Sequence, residues 1–157
     1  MTREEYFMQQ AILLSAKGIA ANDGGPFGCV IVQGDTIVGL GNNKVTSTND
    51  PTAHAEMVAI REACRVLGEF QLSGCDFYTS CEPCPMCLGA LYWARPARVF
   101  FVATHEAASS AGFDDSFIYR QIDVPPAERS IPMIHVPHEN ANRPFDEWAT
   151  KSDRTKY

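Results

Sequence analysis

Three side chains of this 157-residue chain have the types and spacing of one metal site: His54, Cys84 and Cys87. The two cysteines stand three apart in Pro83-Cys84-Pro85-Met86-Cys87. On a helical turn that spacing turns both sulfurs to the same side, where they can grip a single ion. Thiolates at a helix N-terminus also gain from the partial positive charge of the exposed amides. One imidazole and two thiolates suit zinc and leave its fourth tetrahedral position open to water, the layout of a catalytic rather than a structural site. Glu56 follows His54 by two residues, near enough to take a proton from that water without serving as a ligand.

Other readings of the cysteines stand beside this one. Cys81-x-x-Cys84-x-x-Cys87 has the opening of an iron–sulfur motif, but the next ligand would fall on Leu91. A thiol–disulfide pair would need neither His54 nor Glu56, and a structural zinc site would recruit Cys81 as its fourth ligand. Cys29, Cys64 and Cys75 lie in apolar surroundings and read as inert core thiols. His105, His135 and His138 show no ligand spacing and read as surface or turn residues.

The elements that must position these residues follow from periodicity. Thr2 to Asn22 carries Phe7, Ala11, Leu14 and Gly18 on one face of an amphipathic helix, which Asp23-Gly24-Gly25-Pro26 ends. Residues 28–33 and 36–41 form a hairpin about Gly34-Asp35. A polar stretch to Thr52 precedes a helix over 53–67, capped by Asp50 or Thr52 and stopped at Gly68. Beyond it come a strand over 76–80, a helix from Pro83 to about Tyr92, a strand over 98–103 and a helix over 114–122. After Pro125-Pro126 a last strand over 131–136 and a helix over 145–152 complete the pattern. Strands alternating with helices favour parallel pairing and the hairpin is antiparallel, so the α/β sheet is mixed.

Length and charge narrow the function classes. A chain of this length buries roughly 70% of its unfolded surface, enough for a single domain over residues 1–157 without a metal or disulfide to hold it. Thirteen Lys plus Arg against nineteen Asp plus Glu give a net charge of −6, which repels nucleic acid and anionic membranes. No apolar run reaches the ~20 residues of a membrane span, and Met1-Thr2-Arg3-Glu4-Glu5 lacks a secretory pattern. The expected location is the cytoplasm, where six cysteines stay reduced.

The H-x-E…P-C-x-x-C arrangement of His54, Glu56, Cys84 and Cys87 is the signature of zinc-dependent deaminases. With Gly24 to Gly28, Asn49 to Glu56 and Thr79 to Ala90, the chain resembles the cytidine deaminase superfamily. Gly112-Phe113-Asp114-Asp115-Ser116-Phe117-Ile118-Tyr119 and the terminal Tyr157 resemble its bacterial guanine-acting branch. The resemblance implies a three-layer α/β/α sandwich on a five-stranded mixed sheet. It also implies a homodimer in which C-terminal segments, about residues 140–157, close each other's sites. By the same resemblance Asn43 holds the purine, Phe27 and Trp93 pack against its ring, Asp115 reads its edge, and Tyr157 caps the pocket, with Ala55 and Asp114 beside them. The implied reaction is hydrolysis of a cyclic amidine C–N bond, guanine to xanthine and ammonia, with Glu56 shuttling protons.

Each substrate residue also has a plainer role. Asn43 suits a turn, Phe27 and Trp93 a core or interface, Asp114 and Asp115 a helix cap, and Tyr157 a frayed end. Guanosine or another nucleoside, adenosine in tRNA, and a zinc-binding module without catalysis stand as alternative readings. A steep salt dependence would mark the tRNA reading.

Overall fold

A computed structural model describes residues 1–157. Its first helix, α1 (Arg3–Ala20), starts on a reciprocal cap: Thr2 Oγ1 accepts from the Glu5 amide at 3.2 Å, and Glu5 Oε2 accepts from the Thr2 amide at 2.7 Å. Phe7, Ala11 and Gly18 turn inward. Strands β1 (Gly28–Gln33) and β2 (Thr36–Asn42) pair antiparallel through Gly34, whose φ of +60° suits the tight turn. Next come the short helix α2 (Val45–Thr48), α3 (Ala55–Leu67), β3 (Cys75–Cys81), α4 (Pro85–Ala94), β4 (Arg98–Ala103) and α5 (His105–Ser110).

The sheet runs β2-β1-β3-β4, with β1 and β3 antiparallel and β3 and β4 parallel. Side chains alternate across it. Val30, Val32 and Tyr78 join Phe7 and Ala11 of α1 on one face. Cys29, Ile31 and Phe77 join Ala55, Ala59 and Ala63 of α3 and Leu91 and Ala94 of α4 on the other. This is the expected α/β/α layering on a mixed sheet. The sheet has four strands rather than the expected five.

The missing strand is the run over 131–136. Pro132 cannot donate to a ladder and Pro137 closes the run, and the run joins no strand of the sheet, with Ile134 78% exposed. Its amide at Met133 donates to Pro126 O at 2.9 Å instead. Residues Met1–Asp115 form one compact unit and Ser116–Tyr157 a second. The second contains α6 (Ser116–Ile122), a 3₁₀ turn over Pro126–Glu128 and α7 (Arg143–Thr150). Arg129 ties its turn together, donating to the carbonyls of Val124 at 3.0 Å and Ile122 at 3.1 Å. No helix is long and apolar enough to cross a membrane.

Two close approaches set α3 on the sheet. A Cβ added at Gly41 would lie 2.1 Å from Ala55 O, and one at Gly39 would lie 2.5 Å from Ala59 O. Only bare backbone in β2 lets the alanine face of α3 settle this deep. Its first turn then hangs over the end of β2, beside Asn42 and Asn43. The cap of α3 is His54, not Asp50 or Thr52. Asp50 Oδ1 is engaged in its own turn, accepting from the Thr52 amide at 2.8 Å and the Thr52 hydroxyl at 2.7 Å.

At the end of β3 remote from Cys81, Asp76 is buried between two guanidinium groups. Arg98 donates to its two oxygens at 3.0 and 2.8 Å, and Arg3 donates at 3.2 Å. Arg3 also donates to the Tyr78 hydroxyl at 2.7 Å. Arg98 first, then Arg3, holds the Asp76 carboxyl below the usual aspartate range against the opposing effect of burial.

Candidate active site

The first turns of α3 and α4 converge. His54 caps α3 and Cys84 caps α4, so each sits where unpaired backbone amides favour negative charge. Pro85 takes the first helical position of α4, where its missing N–H is no loss. The Cys87 amide donates to Cys84 Sγ at 3.5 Å. His54 Nδ1 lies 3.4 Å from Cys84 Sγ and 3.5 Å from Cys87 Sγ, and the three ligand atoms all fall within 4.8 Å of one another.

These separations fit zinc. Tetrahedral zinc with nitrogen at ~2.05 Å and sulfur at ~2.3 Å sets the two donors about 3.5 Å apart. Cys81 stands outside the cluster, with its thiol on Thr104 O at 3.6 Å. The protein therefore offers three ligands, and the fourth direction holds no further Cys, His, Asp or Glu ligand atom of the group.

Charge in the cluster is shared through hydrogen bonds. The Cys87 thiol, and then His54, draw Cys84 down to about 4 against the opposing effect of burial. Cys87 moves up, because the Cys84 thiolate holds its proton and burial and Glu56 add to the effect. The contact with Cys84 raises His54 despite desolvation. These contacts favour the thiolate at Cys84 over that at Cys87, and a bound cation would favour the thiolate at both.

Glu56 is 6% exposed and lies against the cluster, with Cys87 Sγ 3.4 Å from Oε2. Its Oε1 accepts from the Thr79 hydroxyl at 3.3 Å, a partner supplied by β3. Burial raises its pKa above the usual glutamate value. A desolvated carboxyl held on one oxygen and presented on the other is suited to receiving and returning a proton.

A loop cradle adjoins these groups. Asn43 is 5% exposed, and its Oδ1 accepts from the amides of Gly25 at 3.3 Å and Val45 at 3.1 Å, so its side-chain donors sit on Nδ2. Glycine is required at position 24, where a Cβ would stand 2.1 Å from Asn43 Oδ1. Phe27 meets Phe113 edge-on, with ring centroids 5.0 Å apart. Asp115 is half-buried, and desolvation, followed by the Cys84 thiolate, raises its pKa while His105 opposes the shift. Ala55 is fully buried at the first position of α3.

Three other candidate residues are exposed. Asp114 is exposed beside Asp115. Trp93 is 64% exposed at the far end of α4, about 14 Å along the axis from Cys84 at 1.5 Å per residue. Tyr157 ends the second unit, exposed there. Thr79, Glu82 and Phe113 take places at the site that sequence reasoning misses. Strand alternation, which sends Phe77 and Thr79 to the α3 face, is the one signal for Thr79.

Fold and site define a class. The chain belongs to the cytidine and deoxycytidylate deaminase family: residues 1–103 match the model of its zinc-binding region. Within that class the chain is 54% identical over 153 residues to a guanine deaminase from Bacillus subtilis, covering 98% of each chain. The X-ray structure of guanine deaminase from the same organism superposes with a TM-score of 0.96, again covering 98% of both chains. A tRNA-specific adenosine deaminase from Aquifex aeolicus is 34% identical over 148 residues, covering 94% of this chain and 95% of its own.

Proposed function

We propose that the protein is a zinc-dependent hydrolase that converts guanine to xanthine and ammonia in purine breakdown. The observation that carries this reading is the buried Glu56 carboxyl, 3.4 Å from one sulfur of a three-ligand cluster that matches tetrahedral zinc. Identity of 54% along nearly the whole chain to a guanine deaminase supplies the substrate.

His54, through Nδ1, and the thiolates of Cys84 and Cys87 would hold the metal. Zinc, when bound, supplies a Lewis acid that brings the ionisation of water toward neutral pH. The remaining chemistry belongs to side chains. Thr79 holds Glu56 Oε1, so Oε2 on the cluster side takes a proton from the attacking water. Glu56 then delivers it to a ring nitrogen as oxygen adds at C2, takes the second proton from the new C2 hydroxyl, and passes that proton to the amine as the C–N bond breaks and C2=O forms. A pKa raised by burial serves both transfers.

Recognition falls to the cradle. Asn43 Nδ2 would donate to an acceptor on the purine, Phe27 and Phe113 would flank the ring, and Asp115 would accept from its N–H donors, which an amide would read ambiguously. Ala55, Asp114, Trp93 and Tyr157 complete the contact set on the family resemblance. So do a cytoplasmic location and a homodimer, the latter tested by the mass of the protein in solution.

The test is ammonia release by the zinc-loaded protein from guanine, guanosine, adenine, cytosine, cytidine and tRNA. Guanine is expected to lead by at least about 100-fold in kcat/KM, since a site built to pair polar groups rejects analogues lacking them by up to ~10⁴. Preference for guanosine, or no ammonia from any substrate, overturns the reading. A net charge of −6 opposes tRNA, whose phosphates call for a basic surface.

A further inference from the structure

Glu82 has no part in the reaction set out above, yet its carboxylate joins two segments of the site. Oε2 accepts twice from His105, from the backbone amide at 3.3 Å and from Nδ1 at 2.9 Å. His105 is the first residue of α5, and the cap residue of that helix, Thr104, supplies no side-chain cap. The Thr104 hydroxyl donates to Glu106 Oε2 at 3.3 Å instead. An uncapped first turn leaves amide donors in need of an acceptor. Glu82 provides one from a different stretch of chain.

The two stretches are fastened at neighbouring points. The Glu82 amide donates to Ala103 O at 2.8 Å, and the Cys81 thiol lies 3.6 Å from Thr104 O. At its other end α5 runs directly into the cradle. The Gly112 amide donates to Ser109 O at 2.9 Å, and the Phe113 amide donates to Ala108 O at 2.9 Å, through Gly112 at φ +94°. Where α5 sits therefore decides where Phe113 meets Phe27 and where Asp115 lies.

We propose that Glu82 is a positioning residue for substrate recognition, capping α5 from a point two residues before Cys84 and so fixing Phe113 and Asp115 relative to the metal ligands. The proposal rests on the reading of Asp115 as the carboxylate that faces the purine. Glu82 acts through His105 and α5, and touches no reacting atom.

The test uses the full-length zinc-loaded protein, with steady-state kinetics, zinc content and melting temperature measured together. Glu82→Ala is expected to raise KM for guanine about tenfold, the scale of one lost charge-assisted hydrogen bond. Its kcat should stay within about threefold, with about one zinc per chain. Glu82→Gln keeps an acceptor oxygen and should recover most of the KM. The Glu82→Ala/His105→Ala double variant should show a KM no higher than Glu82→Ala alone, because the bond that His105→Ala removes is already lost with Glu82.

A merely structural role lowers melting temperature and active fraction, hence kcat, at unchanged KM; that result overturns the proposal. Loss of zinc in Glu82→Ala, or additive effects in the double variant, also overturns it. Should Glu82→Ala fail to fold, His105→Pro, at the first helical position where proline is tolerated, removes both donors to Glu82 and gives the same KM comparison, and an unchanged KM there overturns the proposal. Wild-type turnover of guanine is measured first. Its absence defeats the functional reading alone, and the KM ratio is then taken on whichever purine base the wild type deaminates.

Discussion

Replacing Glu56 by glutamine isolates proton transfer from everything else the residue does. The amide has the shape of the carboxyl. Its oxygen can keep the Thr79 hydrogen bond of 3.3 Å, and its nitrogen can face Cys87 Sγ across the same 3.4 Å. The metal ligands are untouched, so zinc content should stay at about one per chain. What disappears is a group able to accept and return a proton. General acid–base assistance is worth about 10²- to 10⁴-fold, and in the proposed mechanism Glu56 acts both at attack and at departure of the amine, so kcat should fall about 10³- to 10⁴-fold, or ~4–5.5 kcal/mol. Stability should move the other way. A carboxyl raised by burial is one whose charged form the fold disfavours at neutral pH, so the metal-free variant should melt no lower than wild type. Ammonia release, elemental analysis and a thermal melt read the three quantities. A variant that keeps zinc and more than about a tenth of wild-type kcat refutes the proton-shuttle role, since acid–base assistance alone exceeds that margin.

Cys84→Ser should reduce bound zinc to below about a tenth per chain with a matching loss of turnover, because the site has three protein ligands and the thiolate most readily formed is lost; elemental analysis checks it. Asp115→Asn should lower kcat/KM for guanine about 100-fold with little change in melting temperature, since the residue is half-buried and its proposed partner is the substrate. Asp76→Asn should destabilise the protein by about 2 kcal/mol without altering KM, by breaking the link between Arg3 and Arg98 far from the site. The same carboxyl sets an acid dependence. Its pKa is depressed in the fold, so its stabilisation is fully present above the unfolded value of 3.8 and fades as pH falls through the lower folded value. Melts from pH 6 to about pH 3 should therefore narrow the gap between Asp76→Asn and wild type as acidity rises.

The cluster of His54, Cys84 and Cys87 is legible in sequence because short helical spacings are local. Cys84 and Cys87 share a turn wherever the helix goes, and His54 with Glu56 must sit on its own turn. The hairpin and β4 are legible for the same reason, as runs of β-branched and aromatic residues bounded by glycine or proline. Other features depend on pairing between distant segments. Thr79 and Glu82 acquire partners only after β3 takes its register against β4 and beside α3. Helix α5 is too short and too rich in Ala and Ser to show a period. The cap of α3 differs from expectation because Asp50 and Thr52 satisfy one another, leaving His54 to open the helix. The run over 131–136 has strand-like composition, but its prolines act on hydrogen bonding, which composition does not register.

The glycine floor beneath α3 divides the chain's glycines into two kinds for anyone seeking a hardier variant. A methyl group added at Gly89, inside α4, would meet no heavy atom within 4 Å, so Gly89→Ala should add about 1 kcal/mol of helix stability at no steric penalty. The same exchange at Gly41 would drive a methyl into the carbonyl of Ala55, lifting the turn that bears both the imidazole and the proton carrier. Tolerance to mutation in this enzyme is therefore set less by distance from the metal along the chain than by which backbone the metal-bearing helix rests on.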